Sequence, residues 1–326
     1  MKLPRRNFLH LAAGAAALPA MSRIARAQTY PTRPITMIVP FAAGAGGDAL
    51  GRIIAERMKL SLGQPVIVEN AGGAEGSLGA GRVARARPDG YTIELGEMGN
   101  HVLNGALISL QYDLLNDFAP ISPLATSPFV LFARKTFPAN NLSELTNWLK
   151  ANPNKASAGI PNVNVRLLTT FFQKETGTHI ALVPYRGGAP AFQDLAGGQI
   201  DLLFGQPFQL PLVRAGRIKA FAATSDVRLA LAPDIPTFAE LGMPLLSYSF
   251  WFGLFAPKGT SNEIVGGLSA AAAAALADAA LRPRLIELGL EVFPHDRQTP
   301  AALGALVKAD AEKWWPIIKE LGIKAE

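Results

Sequence analysis

The sequence lacks cysteine altogether and has only four histidines among its 326 residues. Without cysteine, the chain cannot contain a disulfide scaffold, a thiol nucleophile or a cysteine-ligated zinc or iron–sulfur centre. Charged residues are also few, at 17%, whereas hydrophobic residues make up 49%. This composition excludes disorder over most of the chain, and the length is typical of one large domain or two smaller ones.

The net positive charge of the chain is concentrated at its start. Residues 1–27 hold five of the 31 basic residues and no acidic residue. In the rest of the chain, basic and acidic residues nearly balance, and no dense run of lysine or arginine occurs. We therefore expect no nucleic acid as a partner.

The first 27 residues have the layout of a signal peptide. A basic start is followed by an apolar stretch, Leu9–Ala20, and by the sequence Ala25-Arg26-Ala27. This pattern predicts export, with cleavage after about Ala27, and the apolar stretch is too short to span a bilayer. Arg5 and Arg6 resemble a twin-arginine export motif, and an ordinary secretory signal with two adjacent arginines is the alternative.

Strand-like and helix-like segments alternate along the rest of the chain. Ile35–Val39 is β-rich, and after a glycine-rich loop apolar residues recur at helical spacing, with Asp48 as the expected N-cap. Asn141-Leu142-Ser143-Glu144 is a capping box that predicts another helix start. The alternation predicts an α/β protein with largely parallel sheets flanked by helices.

Two α/β units are expected, and helices from the C-terminal end would complete the first. We predict one lobe from residues 28–124 and 250–326, and a second lobe from residues 125–249. Two chain crossings, near Ile121–Ala125 and Ser249–Leu254, would then form a hinge. A cleft between two such lobes is a usual ligand site.

The glycine-rich loop after the first strand has three interpretations. Gly44-Ala45-Gly46-Gly47-Asp48-Ala49 matches the G-x-G-x-x-A pattern of dinucleotide-binding proteins, and Glu69 follows at the end of the next strand. Pro40–Ala43 separate the first strand from this pattern, which fits a dinucleotide site poorly. Alternatively, the amides of a helix N-terminus bind a carboxylate here, or the loop is a structural turn.

Two other loops are candidates for the same cleft. The glycine-rich segment 69–79 contains Ser77, which could line a cleft, although a plain connecting loop is the alternative. Tyr185-Arg186-Gly187 joins a strand end to a helix start, so that Arg186 could add a charge-assisted bond to an anion. A solvated surface arginine is the alternative.

No arrangement of residues in the sequence indicates catalysis. Beyond the leader, His101, His179 and His295 have no histidine or carboxylate at a metal-ligand spacing. Neither a P-loop nor a G-x-S-x-G elbow follows the leader. We predict a binding protein with no catalytic residue, metal or cofactor. An exported NAD(P)-dependent oxidoreductase built on residues 44–49 is the alternative.

Eight short motifs, in order over the whole mature chain, resemble those of the extracytoplasmic receptors of tripartite tricarboxylate transporters, the Bug/TctC family. The motifs are Tyr30-Pro31-Thr32-Arg33-Pro34-Ile35, Pro40-Phe41 with Gly44, Asp48 and Arg52, Val68-Glu69-Asn70, Pro88-Asp89-Gly90-Tyr91-Thr92, Asp117-Phe118-Ala119-Pro120-Ile121, Val183-Pro184-Tyr185-Arg186-Gly187, Asp194-Leu195 with Gly197-Gly198-Gln199-Ile200-Asp201, and Pro236-Thr237-Phe238-Ala239-Glu240-Leu241-Gly242.

This resemblance implies a periplasmic binding protein of the type II-like, two-lobed architecture, with mixed, largely parallel sheets and two hinge crossings. Such a receptor closes on a small carboxylate-bearing solute and delivers it to the membrane permease subunits of the transporter. We expect it to be monomeric. A sensor that presents its ligand to a signalling protein would use the same fold and remains an alternative.

The resemblance also implies which residues contact the solute. They lie in the five regions 41–48, 96–99, 157–164, 185–187 and 204–206 and in the glycine-rich segment 69–79. These residues are Phe41, Ala42, Ala43, Gly44, Ala45, Asp48, Ser77, Glu97, Met98, Ser157, Gly159, Asn162, Asn164, Tyr185, Arg186, Gly187, Phe204, Gly205 and Gln206.

The sequence departs from the family pattern within these loops. The common Asn-Arg-Pro-Gly-Ala-Gly-Gly reads Asn-Ala-Gly-Gly-Ala-Glu-Gly at residues 70–76, and Glu97 stands where small or hydroxyl residues are usual. An ionised Glu97 in the cleft would repel a second carboxylate. We therefore expect a ligand with one carboxylate plus a polar or cationic group, for which Glu97, Asn162, Asn164 and Gln206 offer hydrogen bonds.

Overall fold

The computed structural model describes residues 30–323, which form two mixed β-sheets flanked by helices. The predicted leader, residues 1–27, lies outside the described residues. The strands are β1 (Ile35–Val39), β2 (Val66–Asn70), β3 (Thr92–Glu97), β4 (Phe118–Pro128), β5 (Val130–Arg134), β6 (Ser157–Ile160), β7 (Ala181–Pro184), β8 (Leu202–Gly205), β9 (Ile218–Ala223), β10 (Ser249–Pro257) and β11 (Glu291–Val292).

Helices flank both sheets. They are α1 (Gly46–Leu62), α2 (Ser77–Ala84), α3 (Asn104–Leu107), α4 (Leu142–Ala151), α5 (Val163–Thr176), α6 (Gly188–Gly197), α7 (Leu210–Arg214), α8 (Asn262–Ala277), α9 (Arg282–Glu287) and α10 (Pro300–Glu320). A π-helical turn, Gly99–Leu103, leads into α3. None of the helices within residues 30–323 combines the length and the apolar character that crossing a bilayer requires.

Each sheet contains three neighbouring strands that run parallel to one another and form one side of the sheet. The first sheet has the order β11-β4-β10-β3-β1-β2, in which β1 is parallel to β2 and β3, while β10 is antiparallel to both β3 and β4. The second sheet has the order β7-β6-β8-β5-β9, with β6 parallel to β7 and β8. The alternation read from the sequence therefore predicted the two α/β units correctly.

Local sequence explains where several helices begin and end. The capping box at the start of α4 forms as predicted, because Asn141 Oδ1 accepts from the Glu144 amide and Asn141 Nδ2 donates to Glu144 Oε1. At α1 the N-cap prediction is wrong: Ala45 is the N-cap, and Asp48 lies inside the first turn. Gly63 ends α1 with φ of 66°, a left-handed conformation that glycine adopts without a steric penalty.

The chain changes sheets at two adjacent points. The predicted lobe boundary at residue 125 lies within β4, which stays in the first sheet as far as Pro128, and β5 begins the second sheet at Val130. The return crossing leads from Tyr248 into β10. Thr224 joins both crossings, because its hydroxyl accepts from the Phe129 amide and donates to the Tyr248 carbonyl.

Candidate functional site: the cleft between the two sheets

The candidate site lies where the carboxyl ends of parallel strands from both sheets face each other. In open α/β sheets, ligands bind in the crevice beyond these ends. β1 and β3 end at this edge in the first lobe, and β6 and β8 do so in the second. The helices that follow, α1 and α5, begin there, so their N-terminal amides and positive dipole ends lie at the cleft.

Asp48 organises the loop of the first lobe. Its carboxylate accepts from the Gly44 amide at 2.9 Å, from Asn70 Nδ2 at 2.9 Å and from the guanidinium of Arg52. Burial alone would raise the pKa of Asp48, but the hydrogen bonds from Arg52, Gly44 and Asn70 outweigh it and lower that pKa. Asp48 therefore stays ionised and shapes the loop, since its oxygens already have partners within the lobe.

A buried polar chain joins the two lobes on the other side of the cleft. Asn164 Nδ2 donates to Glu97 Oε1 at 3.2 Å, and Asn164 Oδ1 accepts from the Tyr248 hydroxyl at 2.7 Å. Glu97 is 8% exposed, and Asn164 is 1% exposed. Burial raises the pKa of Glu97 to about 8, against the smaller opposite effect of the Asn164 bond, and nearby Glu75 raises it further.

Glu75 also reaches across the cleft. Its Oε2 accepts from the Val163 amide, the first of α5, at 3.2 Å. The backbone of Glu75 is left-handed, with φ of 55°, and Asn104 Nδ2 donates to its carbonyl at 2.9 Å. Desolvation of the carboxyl raises the pKa of Glu75, while the Val163 amide and the guanidinium of Arg166 act to lower it.

Two glycines allow the lobes to approach closely. A Cβ atom at Gly46 would lie 2.5 Å from Gln206 Oε1 in the other lobe. A Cβ at Gly99 would lie 2.6 Å from Glu97 Oε1 and 2.9 Å from Asn164 Nδ2. Larger residues at either position would press on the facing lobe.

Most of the residues expected to contact the solute lie along this cleft. Ala42, Ala43 and Gly44 are exposed in the first loop, next to the partly buried Phe41 and Ala45. Ser77 begins α2 and donates its hydroxyl to the Ala74 carbonyl, and Asn162 caps α5 by accepting from the Val165 amide. Asn164 and Gln206 lie at the interlobe contacts already described, and the Tyr248 hydroxyl lies 3.5 Å from Met98 Sδ. Their contact with a solute stays a prediction.

Other expected residues point elsewhere. Ser157 begins β6, at the opposite edge of the sheet, where its amide and hydroxyl bond Asp201. Phe204 lies in the second lobe's core against Phe172 and Phe238, and Gly159 and Gly205 leave space for core side chains.

The loop after β7 is turned partly to solvent. The Tyr185 hydroxyl donates to Asp194 at 2.6 Å, and Arg186 is exposed. Burial, followed by the Asp194 hydrogen bond, raises the pKa of Tyr185 to about 12. Gly187, with φ of 104°, forms the N-cap of α6.

Sequence reasoning missed Glu75, Tyr248 and Thr224 as residues of the interlobe region. Glu75 was noticed only as a departure from the family pattern, and its partner Val163 is 88 residues away. No local periodicity reveals such a contact. A carboxylate at a position where the family pattern has glycine was nevertheless a usable indication.

The structure gives the dinucleotide alternative no support. The Gly44 amide, which would lie against the pyrophosphate of a dinucleotide, is already bonded by the Asp48 carboxylate. Glu69, the acidic residue that follows the glycine pattern, is paired with Arg82. Within residues 30–323, no group of three or more histidine, aspartate or glutamate side chains is placed to hold a metal ion.

His101 lies next to the carboxylate of Glu94, which is not at a metal-ligand spacing from it in the sequence. Its Nε2 lies 3.1 Å from Glu94 Oε2, and both side chains are fully buried. The ring stacks on Phe255 with centroids 3.7 Å apart. Since the pair is enclosed in the core of the first lobe, it contacts no solvent from which a substrate could enter.

Three solved structures are similar over nearly the whole chain. BugD, a periplasmic binding protein, is 37% identical, with a TM-score of 0.85 over 91% of this chain and all of that one. MatC from Rhodopseudomonas palustris, with bound malate, is 35% identical, with a TM-score of 0.83 over 89% of this chain and all of that one. A further R. palustris protein, with adipate, is 32% identical, with a TM-score of 0.85 over 91% of this chain and all of that one.

These similarities agree with the fold and with the sequence motifs. The neighbours share the two-domain α/β architecture of periplasmic binding proteins, and they are solute-binding receptors, not enzymes, which excludes the oxidoreductase alternative. The family model for the tripartite tricarboxylate transporter family receptor, TctC, matches residues 50–323. The chain therefore belongs to the TctC family of tripartite tricarboxylate transporter receptors.

Proposed function

We propose that the protein is a periplasmic receptor that binds a small carboxylate-bearing solute between its lobes and delivers it to the permease subunits of a tripartite tricarboxylate-type transporter. The observation that carries this proposal is the position of α1 and α5, whose N-termini lie on the two sides of one cleft. A helix N-terminus binds an anion through its free amides and dipole, without a charged side chain.

The ligands of related structures support a carboxylate. One relative was solved with malate and another with adipate. We further propose that residues 28–124 with 250–326, and residues 125–249, act as the two lobes. In this proposal the leader directs export, the solute stabilises the closed arrangement, and a single chain suffices for binding.

A thermal-shift screen of the mature protein tests the proposal. The protein is unfolded and refolded first, to remove solute carried through purification. The panel contains mono-, di- and tricarboxylates, aromatic acids, amino acids, NAD and NADP. A ligand at about 100 times its Kd adds roughly 2.7 kcal/mol to the free energy of unfolding. Stabilisation by one class of acid supports the proposal, and stabilisation by NAD or NADP alone contradicts it.

A further inference from the structure

Two carboxyl groups of the first lobe contact the first turn of α5 in the second lobe. Glu75 accepts from the Val163 amide, and Glu97 accepts from the side chain of Asn164, the next residue. The Glu75 contact places a carboxyl group of the protein itself at the helix end where an external carboxylate would otherwise bind.

The backbone around Glu75 is built to hold this position. Ala74 and Glu75 have φ of 46° and 55°, and Gly76 has φ of 83°. Left-handed backbone is unfavourable for residues with a Cβ. Asn104 holds the strained segment through the Glu75 carbonyl. Retaining a strained conformation for an acidic residue indicates a functional constraint.

We propose that Glu75 is a specificity-determining residue, which occupies the N-terminal amide of α5 in place of a second solute carboxylate. This inference rests on the proposed function, since it concerns the solute held in the same cleft. A dicarboxylate would have to displace Glu75 from the Val163 amide, and its second carboxylate would meet the Glu75 carboxyl there. A solute with one carboxylate and an ammonium or amide group meets two acceptors instead. The receptor thus selects an amino acid-like or amide-bearing monocarboxylate over a dicarboxylate.

Binding measurements with matched solutes test this selectivity. The pairs are succinate with 4-aminobutyrate and adipate with 6-aminohexanoate, titrated into the refolded protein by calorimetry. The variants are Glu75→Gln, which removes the charge, and Glu75→Gly, which also removes the side chain and tolerates left-handed backbone. Glu56→Gln, at an exposed position of α1, is the control for net charge, because Glu56 pairs with Lys59 one turn away on the same helix.

The wild-type protein should bind the amino acid of each pair more tightly than the dicarboxylate. Both Glu75 variants should shift this ratio toward the dicarboxylate by about tenfold or more, since one like-charge contact is removed. Glu56→Gln should leave the ratio unchanged. An unchanged ratio in both Glu75 variants would overturn the inference while leaving the proposed function intact.

A second measurement needs no solute. The amide proton of Val163 should follow the titration of the Glu75 carboxyl in NMR spectra of the wild-type protein, and Glu75→Gln should abolish that dependence. If the Val163 amide has the same pH profile in both proteins, the contact and the inference fail. Absence of binding by any acid would instead contradict the proposed function, and the Val163 profile would still decide the role of Glu75.

Discussion

The N-termini of α1 and α5 lie on the two sides of one cleft, yet their surroundings are organised in opposite ways. At α1, the carboxylate of Asp48 bonds the loop of its own lobe through Gly44, Arg52 and Asn70. At α5, the Val163 amide finds its carboxylate acceptor, Glu75, in the other lobe. One side is therefore complete before the lobes meet, whereas the other is completed only by their approach.

Because of this difference, contacts at α1 should affect mainly the stability of the fold, whereas contacts at α5 should affect mainly solute binding. Contacts inside a lobe contribute to the folded state whatever the position of the other lobe. Contacts across the cleft contribute only in the closed arrangement and therefore bias the lobe equilibrium. Substitutions on the two sides should consequently affect different measurements.

Replacing Asp48 should have the largest effect. Asp48→Ala removes a buried acceptor and takes this partner from the Gly44 amide, Asn70 and Arg52, so we expect a loss of about 2–4 kcal/mol in the free energy of unfolding. Urea denaturation of the solute-free protein measures this loss. Glu56→Gln, at an exposed ion pair, should change the free energy by less than about 1 kcal/mol. Equal effects of the two substitutions would contradict an organising role for Asp48.

The buried carboxyl group of Glu97 should make the free energy of unfolding depend on pH. The pKa of Glu97 is raised from 4.5 to about 8, so the folded protein holds this proton while the unfolded chain releases it. Stability therefore falls as the pH rises from about 4.5 through about 8. Glu97→Gln keeps an acceptor for Asn164 and removes the proton, and it should be more stable than the wild type by a few kcal/mol at pH 9. Denaturation curves measured between pH 5 and pH 9 check this prediction, and parallel pH profiles of the two proteins would refute it.

A side-chain atom added between the lobes should weaken solute binding more than it lowers the free energy of unfolding. At Gly99, an added Cβ would press on Glu97 and Asn164. Gly99→Ala should reduce solute affinity about tenfold or more, with a change of about 1 kcal/mol in the free energy of unfolding. Calorimetric titration, with the solute found in the screen, measures the affinity.

The matched control for this substitution is Gly266→Ala. Gly266 lies in α8, and a Cβ there would meet open space. The substitution should leave affinity unchanged and increase stability by about 0.5–1 kcal/mol, because alanine favours helix. Wild-type affinity in Gly99→Ala would show that the close approach at Gly99 is not needed for binding.

The sequence predicted the features that depend on local patterns. The strand–loop–helix alternation and the Asn141 capping box gave the two α/β units and the start of α4. Aspartate is a common N-cap residue, and the sequence therefore predicts Asp48 as the N-cap of α1. In the structure Asp48 lies within the first turn instead, where its carboxylate bonds Arg52 and Asn70. Ser157 was placed with the cleft residues by motif position, although strand direction puts it at the opposite edge. The Glu75–Val163 contact depends on tertiary placement, which no local pattern encodes.

The hydrogen bonds of Thr224 couple the two chain crossings between the lobes. Its one hydroxyl bonds both chain crossings, at Phe129 and at Tyr248. Neither crossing can therefore twist far without disturbing the other, so that a rotation of one lobe against the other would have to move both crossings together.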